Sequence, residues 1–224
     1  MGILEKLRPA PRWKHADPAV RASAVFELGS EDGEILKALV REDGDARVRR
    51  TAVSRVTDVD VLRDTAKSDP DDEVRQEAVR GLAGLAAESE SPDHALQSVQ
   101  ALVELGRLKE LAAVARDGSH EAVRLSVVDL LDDQKTLATI ARQAGDGPTR
   151  LRALARVQAA DELLNIALKS EHTVTAVAAL DRIDNAAETL SVVVQRGRNK
   201  VAVRRARTRL RALEADQKST RLNS

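Results

Sequence analysis

The sequence predicts an all-α protein, a solenoid of about eight short helical hairpins with a period of about 26 residues. Three observations carry that expectation. A short pattern recurs at steady spacing, its apolar positions keep the period of a helix, and the interior they imply is built from small aliphatic side chains. The clearest copies are DPAVRASAVFEL at 17–28, DARVRRTAVSRV at 45–56, DDEVRQEAVRGL at 71–82 and HEAVRLSVVDLL at 120–131.

With the Val of each Val-Arg as position zero, the pattern is apolar at zero, Arg at +1, Ala at +4, Val or Leu at +5 and apolar at +8. It fits starts at Val20, Val48, Val74, Gln97, Val123, Thr149, Thr175 and Ala202, spaced 28, 26, 23, 26, 26, 26 and 27 residues apart. A period this regular is the mark of a solenoid. Position +8 is Leu28, Val56, Leu82, Leu105, Leu131, Val157, Ile183 and Leu210, apolar every time, and +4 is Ala except at Val127. Positions 0, +4, +5 and +8 fall within about 140° of arc at 100° per residue, one face of an α-helix and not of a strand.

That face defines the first helix of each hairpin. The second follows as Leu-x-x-apolar-Ala/Val: Leu36-Leu39-Val40, Leu111-Val114-Ala115, Leu137-Ile140-Ala141, Leu163-Ile166-Ala167 and Leu190-Val193-Val194, with Leu62-Thr65-Ala66 a weaker copy. The third unit has no such motif. AGLAAESESPD follows Leu82, which predicts a lengthened first helix ending before Pro92 and a local break in the superhelix.

The unit Asp-x-x-Val-Arg-x-x-Ala-Val/Leu-x-x-Leu resembles a HEAT or HEAT-like repeat, of the short type also found in bilin lyases. The resemblance covers roughly residues 15–213 and implies a right-handed α-solenoid of HEAT-like hairpins. PRWKHADPAVR near the start and QRGRNKVAVRRARTRLRALE near the end also resemble the N-terminal repeat region of bacterial proteins that carry the domain of unknown function three-four-nine. The expected organisation is an extension over 1–14, the repeats over 15–213, and a disordered, non-native tail over 214–224. Its last residues, STRLNS, resemble translated adapter read-through, so the native chain is expected to continue differently beyond the eighth unit.

Composition narrows the function classes. The 224 residues carry no net charge, no Cys, no Tyr, one Trp and one Phe. Disulfides, thiolate metal sites and cysteine nucleophiles are excluded, and no global field favours nucleic acid or membrane. MGILEKLRPAPRWK is too short in apolar length for a signal peptide, and no stretch approaches a membrane span, so a cytoplasmic protein is expected. The abundance of Arg, Ala, Asp and Val points to a GC-rich bacterial genome.

At +1 the arginine lies within the apolar arc, where an unpaired charge costs several kcal/mol. Four residues earlier, at −3, the sequence offers Asp17, Asp45, Asp71, His94, His120, Asp146, His172 and Asn199, where a helix N-cap belongs. Asp at −3 and Arg at +1 are i and i+4, within ion-pair reach on one helix or across to the next repeat. A structural ladder is therefore expected of Asp17, Arg21, Asp45, Arg49, Asp71, Arg75, Arg124, Asp146 and Arg150.

No enzyme, metal or cofactor is expected. Histidines at one repeat position stand about 8–10 Å apart, whereas zinc needs its nitrogens about 2 Å from one ion. Asp71-Asp72 and Asp132-Asp133 sit where helix N-termini favour negative charge. The base-flipping glycosylases among HEAT-like proteins need aromatic walls, and this chain has only Trp13 and Phe26, with Trp13 expected to cover the edge of the first repeat. The expected function is a scaffold presenting an extended surface to a protein partner. The alternative is a nucleic-acid-associated module without sequence readout, because residues 196–224 carry ten Lys or Arg against two acids. Its expected contacts are Arg196, Arg198, Lys200, Arg204, Arg207 and Arg211, the last three in a stripe opposite the docking face of Ala202, Ala206, Leu210 and Leu213.

Overall fold

The computed structural model describes residues 10–222. Among them there is no strand. The helices, in chain order, are α1 (Pro18–Val25), α2 (Gly33–Glu42), α3 (Ala46–Val53), α4 (Val59–Ser68), α5 (Asp72–Glu88), α6 (Pro92–Glu104), α7 (Leu108–Asp117), α8 (Glu121–Leu130), α9 (Gln134–Gln143), α10 (Gly147–Arg156), α11 (Ala160–Lys169), α12 (Thr173–Arg182), α13 (Ala187–Arg196) and α14 (Lys200–Leu222). Residues 1–9 of the expected extension and 223–224 of the expected tail lie outside the described residues; helix α14 runs through 214–222.

Helices α1, α3, α5, α10 and α14 start where their caps dictate. The carboxylates of Asp17, Asp45, Asp71 and Asp146 accept from the backbone N–H of Ala19, Arg47, Val74 and Thr149, satisfying donors that the first turn leaves open. Asn199 does the same for Val201 and Ala202.

The chain forms two compact units that divide between Arg107 and Leu108. In the first unit α1, α3 and α5 stack on one another, and α2, α4 and α6 form a second layer. In the second, α8, α10, α12 and α14 make one layer and α7, α9, α11 and α13 the other. Second helices also pack on the next first helix, as α4 does on α5 and α9 on α10. This is a helical-repeat solenoid, and the small residues at +4 permit it. Ala52, Ala78, Ala153, Ala179 and Ala206 are fully buried, and Val127 fits the same place. The leucines of the second helices close the interior: Leu62, Leu137 and Leu190 are wholly buried, each contributing about 1.5–3 kcal/mol.

The third unit has the lengthened helix expected of it, 17 residues in α5. Gly81 lies on the face of α5 that meets α4, where a Cβ would come 3.2 Å from the Leu62 side chain.

The fourth unit corrects the sequence register. Its helix starts three residues earlier than a start at Gln97 implies, with Ser91 as N-cap and Pro92 at the first position. His94 is therefore not a cap but lies in the first turn, donating its backbone N–H to the Ser91 hydroxyl at 3.4 Å. Gln97 is exposed, while Ala95, Ser98, Val99 and Leu102 are buried. Helix α6 stacks on α4 and α5, so it takes the second-helix place beside α5 instead of opening a new first helix. The physical reason is that a run of apolar residues spaced three and four apart fits two registers of one helix, and the cap chooses between them. Gly106, at φ 65°, then ends α6 in the left-handed region that glycine favours.

Candidate functional site

The +1 arginines do form a ladder, but its rungs differ from the expected i, i+4 pairs. Arg21 Nε and Nη2 donate to the Asp43 carboxylate at 2.7 and 2.8 Å. Arg49 Nε and Nη2 donate to Asp69 at 2.8 and 2.9 Å. Arg124 Nε donates to Asp146 at 3.0 Å. Each partner belongs to the loop that opens the following repeat, 20–22 residues on. The other edge of the same guanidinium faces backwards. Nη1 of Arg21, Arg49, Arg75, Arg124 and Arg150 donates to the carbonyl six residues earlier, that of His15, Asp43, Asp69, Gly118 and Ala144. One side chain thus clamps the loop before its own helix and, where an acid is present, the loop before the next. Arginine suits this because its planar fork presents donors in two directions at once.

Asp43 and Asp69 are ladder members that sequence reasoning missed. Each sits two residues before a cap and also accepts the cap's N–H, Asp45 and Asp71 respectively, at 2.9 Å. His15 Nδ1 fills that place ahead of Asp17, and the Ser89 hydroxyl fills it ahead of Ser91. The signal was available as Asp-x-Asp at 43–45 and 69–71. Burial raises the Asp43 and Asp69 carboxyls, but hydrogen bonds from the arginine and the backbone outweigh it and leave both below the usual range. Asp45 is held at about 2, first by its exposed neighbour Arg47 and then by the N–H groups it caps.

Asp17, Asp45 and Asp71 are therefore caps and not partners of Arg21, Arg49 and Arg75. The i, i+4 pairing fails because a capping carboxylate is already turned towards the helix N–H groups, while the arginine stem runs across the helix to the neighbouring repeat. This geometry also explains why Arg124 follows His120 instead of Asp. Its acid lies in the next unit. Two rungs remain open for the same reason. After Arg75 the next loop offers Ser89 and Ser91, and Arg75 turns to Asp72 at 2.9 Å. After Arg150 the next loop offers Ser170 and His172, and Arg150 Nε is buried without a hydrogen-bond partner among the described residues.

A second arginine ladder runs the opposite way from position +7, and the sequence reading missed it entirely. Arg55 donates to the Leu28 carbonyl at 2.9 Å, Arg156 to Leu131 at 3.0 Å, Arg182 to the carbonyls of Leu154 and Val157, and Arg209 to Leu180 at 2.7 Å. Each acceptor is a carbonyl in the last turn, or just past the end, of the first helix one repeat back. Carbonyls at a helix end have few backbone donors of their own and sit at the negative end of the helix dipole. Arg at +7 in four of the units was the available signal.

The C-terminal basic residues divide by role. Ala202 and Ala206 are buried and Leu210 and Leu213 half-buried, so α14 docks by the expected face. Arg205 and Arg209 are bound to Asp181 at 2.9 Å, and Arg198 lies 4.0 Å from Glu171. Arg204, Arg207 and Arg211 are exposed, and none of them, nor Arg196 or Lys200, has an ion pair among the described residues. Arg207 occupies +5, a position filled by buried Val or Leu in α1, α3, α5, α8, α10 and α12.

His120 and His172 are N-cap residues of α8 and α12 that do not cap through their side chains. No group of three His, Asp or Glu among the described residues is arranged to hold a metal ion, and no described helix is long and apolar enough to cross a membrane. No protein-family model matches the chain, and no curated protein matches it.

Proposed function

We propose that this chain is a non-enzymatic, HEAT-like, cytoplasmic scaffold whose solenoid surface docks a partner protein bearing acidic groups. One observation carries the reading. On a single helix, α14, Arg205 and Arg209 are matched to Asp181, whereas Arg204, Arg207 and Arg211 face solvent without an ion pair among the described residues. Exposed cations without ion pairs along about 10 Å of helix favour an anionic surface coming from outside. The two ladders support the reading differently. Arg21, Arg49 and Arg124, with Arg55, Arg156, Arg182 and Arg209, are committed to holding neighbouring repeats together within each unit.

Arg204→Gln, Arg207→Gln and Arg211→Gln together test this. Binding of an acidic model protein should weaken by about tenfold or more and lose most of its salt dependence, with the helical signal unchanged. An unaffected affinity sinks the assignment of the stripe. The same stripe could dock a phosphate backbone. That alternative predicts tighter binding to single-stranded DNA than to the acidic protein, without sequence preference and with a steep salt slope.

A further inference from the structure

We infer that the first-helix layer of the second unit carries a separate docking strip for an amphipathic acidic helix of a partner protein. It rests on the scaffold reading above but uses different residues. Three of the largest exposed apolar side chains are Leu151, Val174 and Val201, at 40%, 66% and 51% exposure. They fall on successive stacked helices α10, α12 and α14. In repeat register, Ala122, Pro148, Val174 and Val201 all occupy −1, and all are exposed. Beside them at +2 stand Leu125, Leu151 and Val177, with the exposed Arg204 in that place on α14. Positions −1 and +2 are about 60° apart on the helical wheel, so they form two parallel apolar rows across the layer. The first unit has no such rows. Its −1 residues are Ala19, Arg47 and Glu73, and its +2 residues Ala22, Arg50 and Gln76. Apolar rows of this kind, confined to one unit and rimmed by charge, mark an interaction surface.

Spacing and charge identify the occupant. Stacked helices lie about 8–10 Å apart, and seven residues of a partner helix advance about 10.5 Å. A partner crossing the layer would therefore place one apolar residue on each repeat if its apolar residues recurred every seven, and the +2 row would receive a second residue three or four positions away. The rim supplies the sign. Just ahead of Val174, Arg142, Lys169, His172 and Arg198 line an open cleft of about 490 Å³ that also contains the exposed Glu171, and Lys200 immediately precedes Val201. The partner's flanks are therefore acidic. A nucleic acid fits less well, since its phosphates give Pro148, Val174 and Val201 nothing apolar to cover and no aromatic side chain in this unit could stack on a base.

The test uses the full chain and fluorescence anisotropy with four labelled probes. These are a synthetic helix of about 21 residues with Leu at the first and fourth positions of each heptad and Glu on its flanks, the same composition scrambled, polyglutamate of equal charge, and oligo-dT. The heptad helix should bind tightest. Leu151→Ser with Val174→Ser and Val201→Ser should weaken it about tenfold or more, and Val174→Glu alone should do so by repulsion and lost contact. These side chains face solvent, and an unchanged circular dichroism spectrum confirms that the variants fold. Absence of binding, equal binding of scrambled or polyglutamate probes, or preference for oligo-dT overturns the inference. Arg207→Gln with Arg211→Gln leaves the −1 and +2 positions of every repeat intact, so a loss confined to that variant implicates the α14 stripe, and a loss confined to the apolar variants implicates this strip.

Discussion

Arg49 and Asp69 form a two-point, buried ion pair across 20 residues of chain, with side chains only 10% and 6% exposed. The same arginine donates its remaining edge to the carbonyl of Asp43, the residue that receives Arg21. Successive rungs are thus linked through single loops, and each loop is held from both sides.

Breaking this rung should be costly. Arg49→Met leaves Asp69 buried without its partner and should destabilise by about 3–5 kcal/mol. Asp69→Asn combined with Arg49→Met should cost distinctly less than the sum of the singles. Asp45→Asn combined with Arg49→Met should be close to additive, because Asp45 caps α3 without touching that guanidinium. Denaturant melts of the two cycles check both; coupling at Asp45 but not at Asp69 would contradict the cross-repeat pairing.

The reverse ladder should be measurable on its own. Arg156→Met removes the donor to the Leu131 carbonyl and should lower stability by about 1–3 kcal/mol. Arg156→Lys should recover only part of it, since an ammonium lacks the planar reach. Equal stability of all three proteins would show that the bond contributes nothing.

The open rung after Arg150 should be repairable. His172 is the N-cap of α12, in the repeat position where Asp146 receives Arg124. His172→Asp would supply both a capping acceptor and a carboxylate for the unmatched Nε, and should raise stability by about 1–2 kcal/mol. A lower melting temperature at neutral pH would show that the loop cannot bring Asp and Arg together.

Acid should unfold the array through the same carboxylates. Asp43, Asp69 and Asp146 all have lowered pKa values when folded. A group depressed in this way stabilises fully above its unfolded value near 3.9, and the contribution is lost as pH falls through the depressed folded value. Melting temperature should therefore change little between about pH 7 and 5 and fall below about pH 4. Asp43→Asn with Asp69→Asn should be less stable than the parent at pH 7 and converge on it in acid. Parallel curves at every pH would mean these residues do not carry the acid sensitivity.

Much of the fold was legible because its cause is local. Ala52, Ala78 and Ala153 recur at helical spacing, Asp17, Asp45, Asp71 and Asn199 stand at caps, and each helix can be read from its own dozen residues. The register of α6 was readable too, in the Ser91-Pro92 start, but apolar spacing outweighed the cap. The ladder was legible as a need and not as a connection: a buried arginine requires a partner, and the nearest acid in sequence was already occupied.

The sequence by itself determined the all-α repeat, its period, the lengthened α5 and the buried face of every first helix, but not the register or place of α6, because periodicity and capping act within one turn of chain. Only the tertiary structure decided which acid each arginine holds, that a second ladder runs backwards to helix-end carbonyls, and which arginines of α14 have ion pairs among the described residues. Those outcomes depend on how one repeat lies against the next. A guanidinium reaches across a stacking distance that corresponds to some 20–29 residues of chain, and side-chain spacing along a single helix carries no record of that distance.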